Sequence, residues 1–336
     1  MKPLNVTVMM DEGYVPDDDP DFTSGALVPS TERHVVVTLR ELGHDARVLP
    51  VGHDLHAIIT DLTDHRPDLV FNLAEQFSND RRLDMSLVGL LDMMRVRYTG
   101  SGPGGMMLCR DKGLCKQLLS LHRIRVPQFL VLPPGRRPRA DRKLPFPLLV
   151  KPMLEDGSEG IHMASIVHDR DELAQRAALV HEQFHQVAIA EEYVPGRELY
   201  VGLLGNARLA VFPAREIVFG DPDGGGPSIA TSRVKWDKAY REKWNIRYGF
   251  AGLDDATAAR VARVCRRTYR LLQLRDFGRI DLRLIDDGRI VVLEVNPNPD
   301  VAYGEDFAEG AARAGIEYSR LIDRIVRLAL RRHKKG

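Results

Sequence analysis

Phe277-Gly-Arg-Ile-Asp-Leu-Arg-Leu-Ile-Asp-Asp-Gly-Arg-Ile-Val-Val-Leu-Glu-Val-Asn296 carries the clearest pattern in the chain. Ile280, Leu282 and Leu284 alternate with Arg279, Asp281 and Arg283, the period of a strand with one apolar face. Asp287-Gly288 is a favoured hairpin dipeptide, and residues 289–296 again read as a strand. With Asp287 and Gly288 as the loop, Asp281 faces Glu294 and Arg279 faces Asn296, all on one side. Opposed side chains stand about 4.5–5.5 Å apart at Cβ. Two unpaired carboxylates there repel by roughly 1–4 kcal/mol. Either this face is solvated, with Arg279 and Arg283 neutralising the acids, or its oxygens hold a hard cation such as Mg²⁺.

Working outward, the composition bounds what such a site could serve. The chain has 336 residues, long enough for two or three domains around a cleft. A hydrophobic share of 44 % with 28 % charged residues describes a soluble globular protein with ample core. Lys and Arg number 48 against 47 Asp and Glu, so the basic excess of a nucleic-acid platform is missing. Cys109, Cys115 and Cys265 form no CxxC pair, which argues against a disulfide framework or zinc knuckle and suits a reducing cytoplasm. The N-terminal run meets Asp11 too early for a signal peptide, and no apolar run approaches the roughly 18 residues of a membrane span.

Strands expected at residues 6–10, 46–51 and 68–73 alternate with helices at 31–42 and 55–64, the signature of a parallel sheet. A helix at 85–94 leads to a short strand at 96–99, and residues 11–29 form an acidic loop. Further on, one helix is expected over 106–122, strands at 148–150, 161–166 and 187–193, and a helix near 171–181. Strands at 199–204 and 209–213 complete a mostly antiparallel region. Residues 220–232 are Gly-, Asp- and Pro-rich. Ala258, Val261, Cys265, Tyr269 and Leu272 share one helical face after Asp254 and Asp255, and an amphipathic helix spans 316–330.

Two Gly-rich segments could meet phosphate. Gly100-Ser-Gly102-Pro-Gly104-Gly105 matches GxGxxG, yet no acid follows about 20 residues on, so it reads as a turn into a helix. No Walker A lysine follows Gly105. Lys151, with Gly157, Ser158 and Gly160 in the next turn, could cover phosphates with backbone N–H groups and one cation.

These pieces in this order resemble the ATP-grasp superfamily, in its D-alanine–D-alanine ligase branch. The likeness runs from about Val70 to Leu330. Its markers are Tyr98-Thr-Gly-Ser-Gly102, Asp111-Lys112, Pro147-Leu-Leu-Val-Lys151-Pro152, Glu191-Glu192-Tyr-Val-Pro-Gly-Arg-Glu198, Phe277-Gly-Arg279-Ile-Asp281 and Leu293-Glu294-Val-Asn296. The resemblance implies an α+β, ATP-grasp fold of three domains with ATP between two antiparallel sheets. Here they would be an α/β domain at 1–102, a central one at 103–194 and a C-terminal one at 195–336. It further implies that Lys112 and Lys151 bind the nucleotide, that Glu191, Glu192 and Val194 meet adenine, and that Glu198 meets ribose. Gly157, Ser158 and Gly160 would cover the phosphates, and Lys235 would close on the γ-phosphate from a mobile loop. Arg279 would stabilise acyl-phosphate and tetrahedral states. Asp281, Glu294 and Asn296 would hold two Mg²⁺ ions, with Mn²⁺ as an alternative. The implied reaction joins a small-molecule carboxylate to an amine, amino acids or a peptide, with no nucleic-acid or membrane partner. The family is also expected to be a cytoplasmic homodimer.

The substrate positions depart from that pattern. Where the family reads Asn-Thr-x-Pro-Gly-Met-Thr and then Ser, this chain has Asn296-Pro-Asn298-Pro-Asp300, with Glu305 near the Ser position. Glu75 replaces a frequent His, Trp236 follows the loop lysine where Tyr or Phe is common, and Gly157 replaces a Ser. The Gly-Gly-x-Ser-x-Glu segment is missing. Met9-Met10-Asp11 and an acidic loop stand there, with Glu32 the acid to compare. Acids where a carboxylate should be held suggest a substrate with a cationic or amine-rich end, unless Asp300 and Glu305 point to solvent. The expectation is an amino-acid or peptide ligase other than a D-Ala-D-Ala ligase. The alternatives are a true D-alanine–D-alanine or D-lactate ligase and a catalytically silent ATP-binding regulator. An ATP-grasp enzyme acting on a ribosomal peptide or a non-amino-acid carboxylate also stays open.

Overall fold

The structure, a computed structural model, describes residues 2–23, 30–135, 144–220 and 228–332, with every side chain in them except that of Trp236. β1 (Asn5–Asp11), α1 (Thr31–Glu41), β2 (Asp45–Val51), α2 (Leu55–His65) and β3 (Leu69–Asn72) alternate, and α3 (Asp84–Met93) follows. The apolar runs pair in parallel, in the order β2-β1-β3, and β3 is buried at every residue. Ser30 and Asp54 begin the helices by accepting from the N–H groups of Arg33 and Ala57. The short strand expected at 96–99 is reduced to one parallel bridge, Val70 to Tyr98.

The next elements are α4 (Pro103–Arg110), α5 (Lys112–Leu121), β4 (Phe129–Leu132), β5 (Leu148–Pro152), β6 (Ile166–Val167), α6 (Arg170–Phe184) and β7 (Ala188–Glu192). The single helix expected over 106–122 is two. Asp111 turns extended (ψ 97°), ends α4, and caps α5 through Leu114 N–H. Gly104 and Gly105 lie inside α4, and a Cβ on Gly105 would meet the Gln273 carbonyl at 3.0 Å. The expected strand at 161–166 is instead a 3-10 turn, Met163–Ser165, leading into the two-residue β6. The four strands order as β4-β7-β5-β6, all antiparallel.

The remaining elements are β8 (Arg197–Gly205), β9 (Leu209–Val211), β10 (Arg215–Val218), α7 (Ser232–Trp236), α8 (Lys238–Lys243), β11 (Arg247–Phe250), α9 (Asp255–Leu271), β12 (Phe277–Leu284), β13 (Ile290–Asn296), α10 (Asp306–Arg313) and α11 (Tyr318–Arg332). They build the sheet β11-β10-β8-β12-β13, with β9 on β8. β8 and β9 thus leave the region of β4–β7 and join this larger antiparallel sheet. Ile280 and Leu282 are fully buried under Val261, Cys265 and Tyr269 of α9. The C-terminal helix crosses back: Leu321, Ile322, Ile325, Val326 and Ala329 of α11 share a core with Val6, Val8 and Phe71. No helix among the described residues is long and apolar enough to cross a membrane.

The hairpin repays close reading. Asp281 pairs with Glu294 and Arg279 with Asn296, as expected, but the turn is different. Ile285 N–H donates to the Arg289 carbonyl, which leaves a three-residue loop with Gly288 at φ +80°. Nearer the loop the register is therefore offset, with Leu284 opposite Ile290. A β-bulge between Asp281 and Leu282 takes up the extra residue, Leu293. The polar face is not solvated either: Asp281 is 4 % exposed and Arg283 5 %.

Candidate functional site

Five strands and two helices bring most of the predicted cations and acids together. Lys112, the first residue of α5, is buried, and its Nζ lies 2.9 Å from Glu294 Oε1 and 3.5 Å from Asp156 Oδ1. It also donates to the Glu155 carbonyl. Burial alone would depress its pKa, but Glu294 and Asp156 outweigh that and hold it above the ordinary lysine value. On Glu294 burial works upward, and Lys112, Lys151 and Lys235 together hold the carboxyl well below the usual range. Lys235, on α7, thus reaches the hairpin electrostatically.

Arg279 grips Asp281 with two bonds, Nε to Oδ1 at 2.8 Å and Nη2 to Oδ2 at 2.9 Å. Burial depresses the Arg279 pKa, and the Asp281 charge reverses that and lifts it above the ordinary value. Asp281 ends above its own ordinary value, because burial outweighs Arg279 there. Asn296 Nδ2 donates to Asp281 Oδ2 at 3.2 Å. The expected opposition of two bare carboxylates is thereby resolved, since each acid has its own cation.

On β7, Glu191 Oε1 lies 3.1 Å from Lys151 Nζ and 3.3 Å from Lys116 Nζ. The Lys116 ammonium also donates to the Leu293 carbonyl at 2.5 Å. Burial pulls the Lys116 pKa down, and Glu191 opposes it. Glu192 instead turns to the strand edge, accepting from Gln128 N–H at 3.3 Å. Val194 is buried, 7 % exposed. Glu198 is engaged: its Oε2 meets Arg283 at 2.7 Å and its Oε1 accepts from the Tyr200 hydroxyl at 2.8 Å.

The glycine loop after β5 is held from both sides. Gly157, Ser158 and Gly160 all take left-handed backbone, and the Ser158 hydroxyl donates to the Ala230 carbonyl at 2.6 Å. Arg110 bridges Asp156 of this loop to Asp84 of α3. The phosphate-loop candidate and the segment leading to Lys235 are therefore in contact.

A second cluster is acidic. Asp11 ends β1 and Glu75 follows β3, the carboxyl ends of parallel strands where ligands of such sheets bind. Asp11 is buried and accepts from the N–H groups of Glu75 (3.0 Å) and Gln76 (3.3 Å). The Glu75 side chain keeps 42 % of its surface, with Arg81 at 3.5 Å. It is nonetheless walled in deeply enough that burial pushes its carboxyl up to about 7, with Asp11 and Asp300 adding and Arg81 opposing. Burial raises Glu32 as well, and Asp300 and Asp11 repel it further. Asp300 accepts from the Thr31 hydroxyl and from Ala302 N–H, both at 2.7 Å. Asp300 is thus half-buried and held, whereas Glu305 is exposed, although desolvation by its surroundings and then Asp300 raise its pKa. Asn298 is half-buried in the intervening loop, and the Trp236 side chain lies outside the described residues.

Among the described residues no three His, Cys, Asp or Glu side chains converge as a metal cluster. The donor set suited to Mg²⁺ is mixed: two carboxylates and the Asn296 carboxamide on adjacent strands. The chemistry of these donors supports the fit: hard oxygen atoms on buried or half-buried side chains, beside the lysines that would meet phosphate. A cavity of about 490 Å³ lies elsewhere, before β3, lined by Arg66, Asp68, Arg95 and Arg97 among others, and holds none of the predicted residues.

Sequence reasoning missed Lys116 and Arg110. Lys116 was findable, because it lies one helical turn after Lys112 on the same buried face of α5. Arg110 had no such signal, since its two acids come from remote elements.

The family model for the D-ala D-ala ligase C-terminus matches residues 123–327. A D-alanine–D-alanine ligase of Gluconobacter oxydans is 31 % identical over 88 % of this chain and 92 % of its own length. An uncharacterised protein of Sinorhizobium fredii, y4sG, is 32 % identical over 89 % of this chain and 87 % of its own. Among solved structures, the ATP complex of the Bacillus anthracis D-alanine–D-alanine ligase superposes with a TM-score of 0.76, covering 99 % of both chains at 22 % identity. The chain belongs to the D-alanine–D-alanine ligase family, ATP-grasp enzymes that are ATP-dependent, ADP-forming C–N ligases.

Proposed function

We propose that this chain joins a carboxylate to an amine at the expense of ATP and Mg²⁺, and that one substrate bears a cationic end in place of a plain D-alanine. The carrying observation is the group Asp11, Glu32, Glu75 and Asp300, in which the charges of Asp11 and Asp300 add to the burial that raises Glu32 and Glu75. A small neutral side chain would leave those charges unmatched, whereas a cation would relieve them.

In this reading Lys112, Lys151, Lys235 and Arg279 meet the triphosphate. Asp281, Glu294 and Asn296 would hold Mg²⁺, which supplies charge neutralisation at the phosphates. The substrate carboxylate attacks the γ-phosphorus and ADP departs; the amine then adds to the acyl phosphate and expels phosphate. Arg279 and the lysines spread the transferred charge, and closure of the Lys235 segment keeps water out. The three-domain division at 102 and 194, a homodimer through the N-terminal sheet and a cytoplasmic setting belong to the same reading. Sedimentation of the purified chain tests the dimer.

The deciding assay is phosphate release with ATP and Mg²⁺ against D- and L-amino acids, singly and in pairs. Turnover is expected with a substrate whose side chain carries an ammonium or guanidinium group, and little with D-alanine alone. Robust D-Ala-D-Ala formation would overturn the substrate assignment. It would favour the second reading, a D-alanine–D-alanine ligase proper, which the name of the Gluconobacter relative supports.

A further inference from the structure

Arg283 stands four residues beyond Arg279 on β12, paired across the sheet with Glu198 of β8. It is 5 % exposed and meets three acceptors. Its Nη2 lies 2.7 Å from Glu198 Oε2 and also reaches the Ser228 carbonyl at 3.3 Å, while Nη1 donates to the Gly196 carbonyl at 2.6 Å. These acceptors belong to different working parts. Glu198 is the acid compared with a ribose ligand, Gly196 shapes the turn between β7 and β8, and Ser228 leads into α7, which carries Lys235.

The linkage continues on the other side of Glu198. Its second oxygen accepts from Tyr200, whose ring lies 5.4 Å from the Arg279 guanidinium, and Arg279 holds Asp281. Tyr193 hydroxyl approaches the same Ser228 carbonyl at 3.5 Å. One connected set of side chains thus runs from the root of the Lys235 segment to the acid on the hairpin.

We propose that Arg283 is a positioning residue that fastens the nucleotide-facing carboxylate Glu198 and the root of the Lys235 segment to one strand, so that ATP affinity and the placement of Lys235 change together. The proposal rests on the nucleotide reading given above. A guanidinium presents five N–H donors in a fixed plane and can serve three acceptors at once. An ammonium on a flexible stem cannot hold the same three in the same geometry. Glu198 has about four lone-pair sites. Arg283 and Tyr200 occupy two, and the rest remain for hydroxyl donors of a bound sugar. Removing the guanidinium takes this donor from the Gly196 carbonyl, leaves the Ser228 carbonyl only the Tyr193 hydroxyl at 3.5 Å, and leaves the buried Glu198 carboxylate held by Tyr200 alone.

The test uses the full chain with Arg283→Lys, Arg283→Met, Glu198→Gln and the Arg283→Met/Glu198→Gln double variant. ATP affinity is read by calorimetry, KM and kcat by phosphate release, and melting temperature separately. Arg283→Met should weaken ATP binding by about ten- to a hundredfold, the range for losing the partner that orients a binding group, and should lower kcat as well. Arg283→Lys should melt nearer the wild type yet still bind ATP several-fold more weakly. The double variant should bind no worse than Arg283→Met alone. A purely structural ion pair predicts the reverse: lower melting temperatures with ATP affinity and kcat within twofold of wild type. That result, or additive losses in the double variant, overturns the proposal. Where Arg283→Met fails to fold, Arg283→Lys decides. A wild-type chain that binds no ATP overturns the nucleotide reading and this proposal with it. A wild type that binds, beside a Lys variant that binds equally well, overturns this proposal alone.

Discussion

Replacing Lys116 with methionine isolates one buried charge. The stem is nearly kept and the ammonium is lost. In the native chain that ammonium is 3.3 Å from Glu191 Oε1 and 2.5 Å from the carbonyl of Leu293, the extra residue of the β-bulge beside Glu294. Loss of the donor leaves the Leu293 carbonyl unpaired, which costs about 1–3 kcal/mol. Glu191 is not orphaned, because Lys151 remains at 3.1 Å, so the roughly 3–5 kcal/mol for breaking a buried pair outright does not apply. Methionine also relieves the desolvation that depresses the Lys116 pKa. The net loss should be about 1–2 kcal/mol, or a fall of about 1.5–3 °C in Tm for a chain of this size. Urea unfolding followed by circular dichroism measures it, with phosphate release as the functional companion. Because the bulge aims Glu294, turnover should fall more than the folded fraction does. Adding Glu191→Gln should deepen the loss, because it strips the buried Lys151 ammonium of the carboxylate 3.1 Å away. A change under about 0.5 kcal/mol, or strictly additive effects in the double variant, would refute the reasoning.

Glu75 titrates near 7 in the free chain, so below that pH the carboxyl gains a proton and loses its hold on a cation. The KM of a cationic substrate should rise as pH falls from 8 to 6, and Glu75→Gln should flatten that rise; a flat wild-type profile would remove Glu75 from the substrate site. Gly160→Ala should be far more damaging than Gly157→Ala. A Cβ at Gly160 meets Phe184 and Pro152 at 2.8 Å, while Gly157 has nothing within 4 Å and pays only about 1–2 kcal/mol of left-handed strain. Equal melting temperatures for the two variants would contradict this ordering. Asp281→Asn should cut ATP turnover roughly a hundredfold or more; turnover within tenfold of wild type would place phosphate transfer elsewhere.

How much of this was legible in the sequence varies with the physics behind each feature. Periodicity located α1, β1, β2, α9 and the two strands of the hairpin, because burial on one face writes directly into residue order. It joined α4 to α5, since nothing in the apolar spacing marks Asp111 as a residue that ends one helix and caps the next. The facing of Asp281 and Glu294 came out as read, though through a compensation the residues do not announce. The loop holds one residue more than Asp287-Gly288, and the bulge at Leu293 absorbs it. Motif spacing could nominate Lys112, Lys151, Glu198 and Arg279, but not their neighbours. That Glu198 is held by Arg283 and Tyr200 depends on strand pairing, and that Arg110 joins Asp84 to Asp156 depends on how a helix lies against a loop. That Asp11, Glu75, Asp300 and Glu305 stand in the substrate region was an expectation from the motif positions; Glu32 was visible only as an acid to compare. That Asp11 and Asp300 press on both Glu32 and Glu75 needed the chain to fold.

The packing of α11 against Val6, Val8 and Phe71 has a temporal side. A ribosome delivers the N-terminal strands first and the apolar stripe of Leu321, Ile322, Ile325, Val326 and Ala329 last. Until that stripe emerges, this face of the parallel sheet is covered only in part, by Val35, Val36 and Leu39 of α1. Arg332, which donates to the carbonyls of Tyr98 and Gly100, arrives later still. The core of the sheet therefore closes only once roughly 280 residues beyond α1 have been made, a delay set by the separation of α1, ending at Glu41, from α11, beginning at Tyr318, along the sequence. A transcript cut short by a single helix would yield a product whose defect lies at its opposite end.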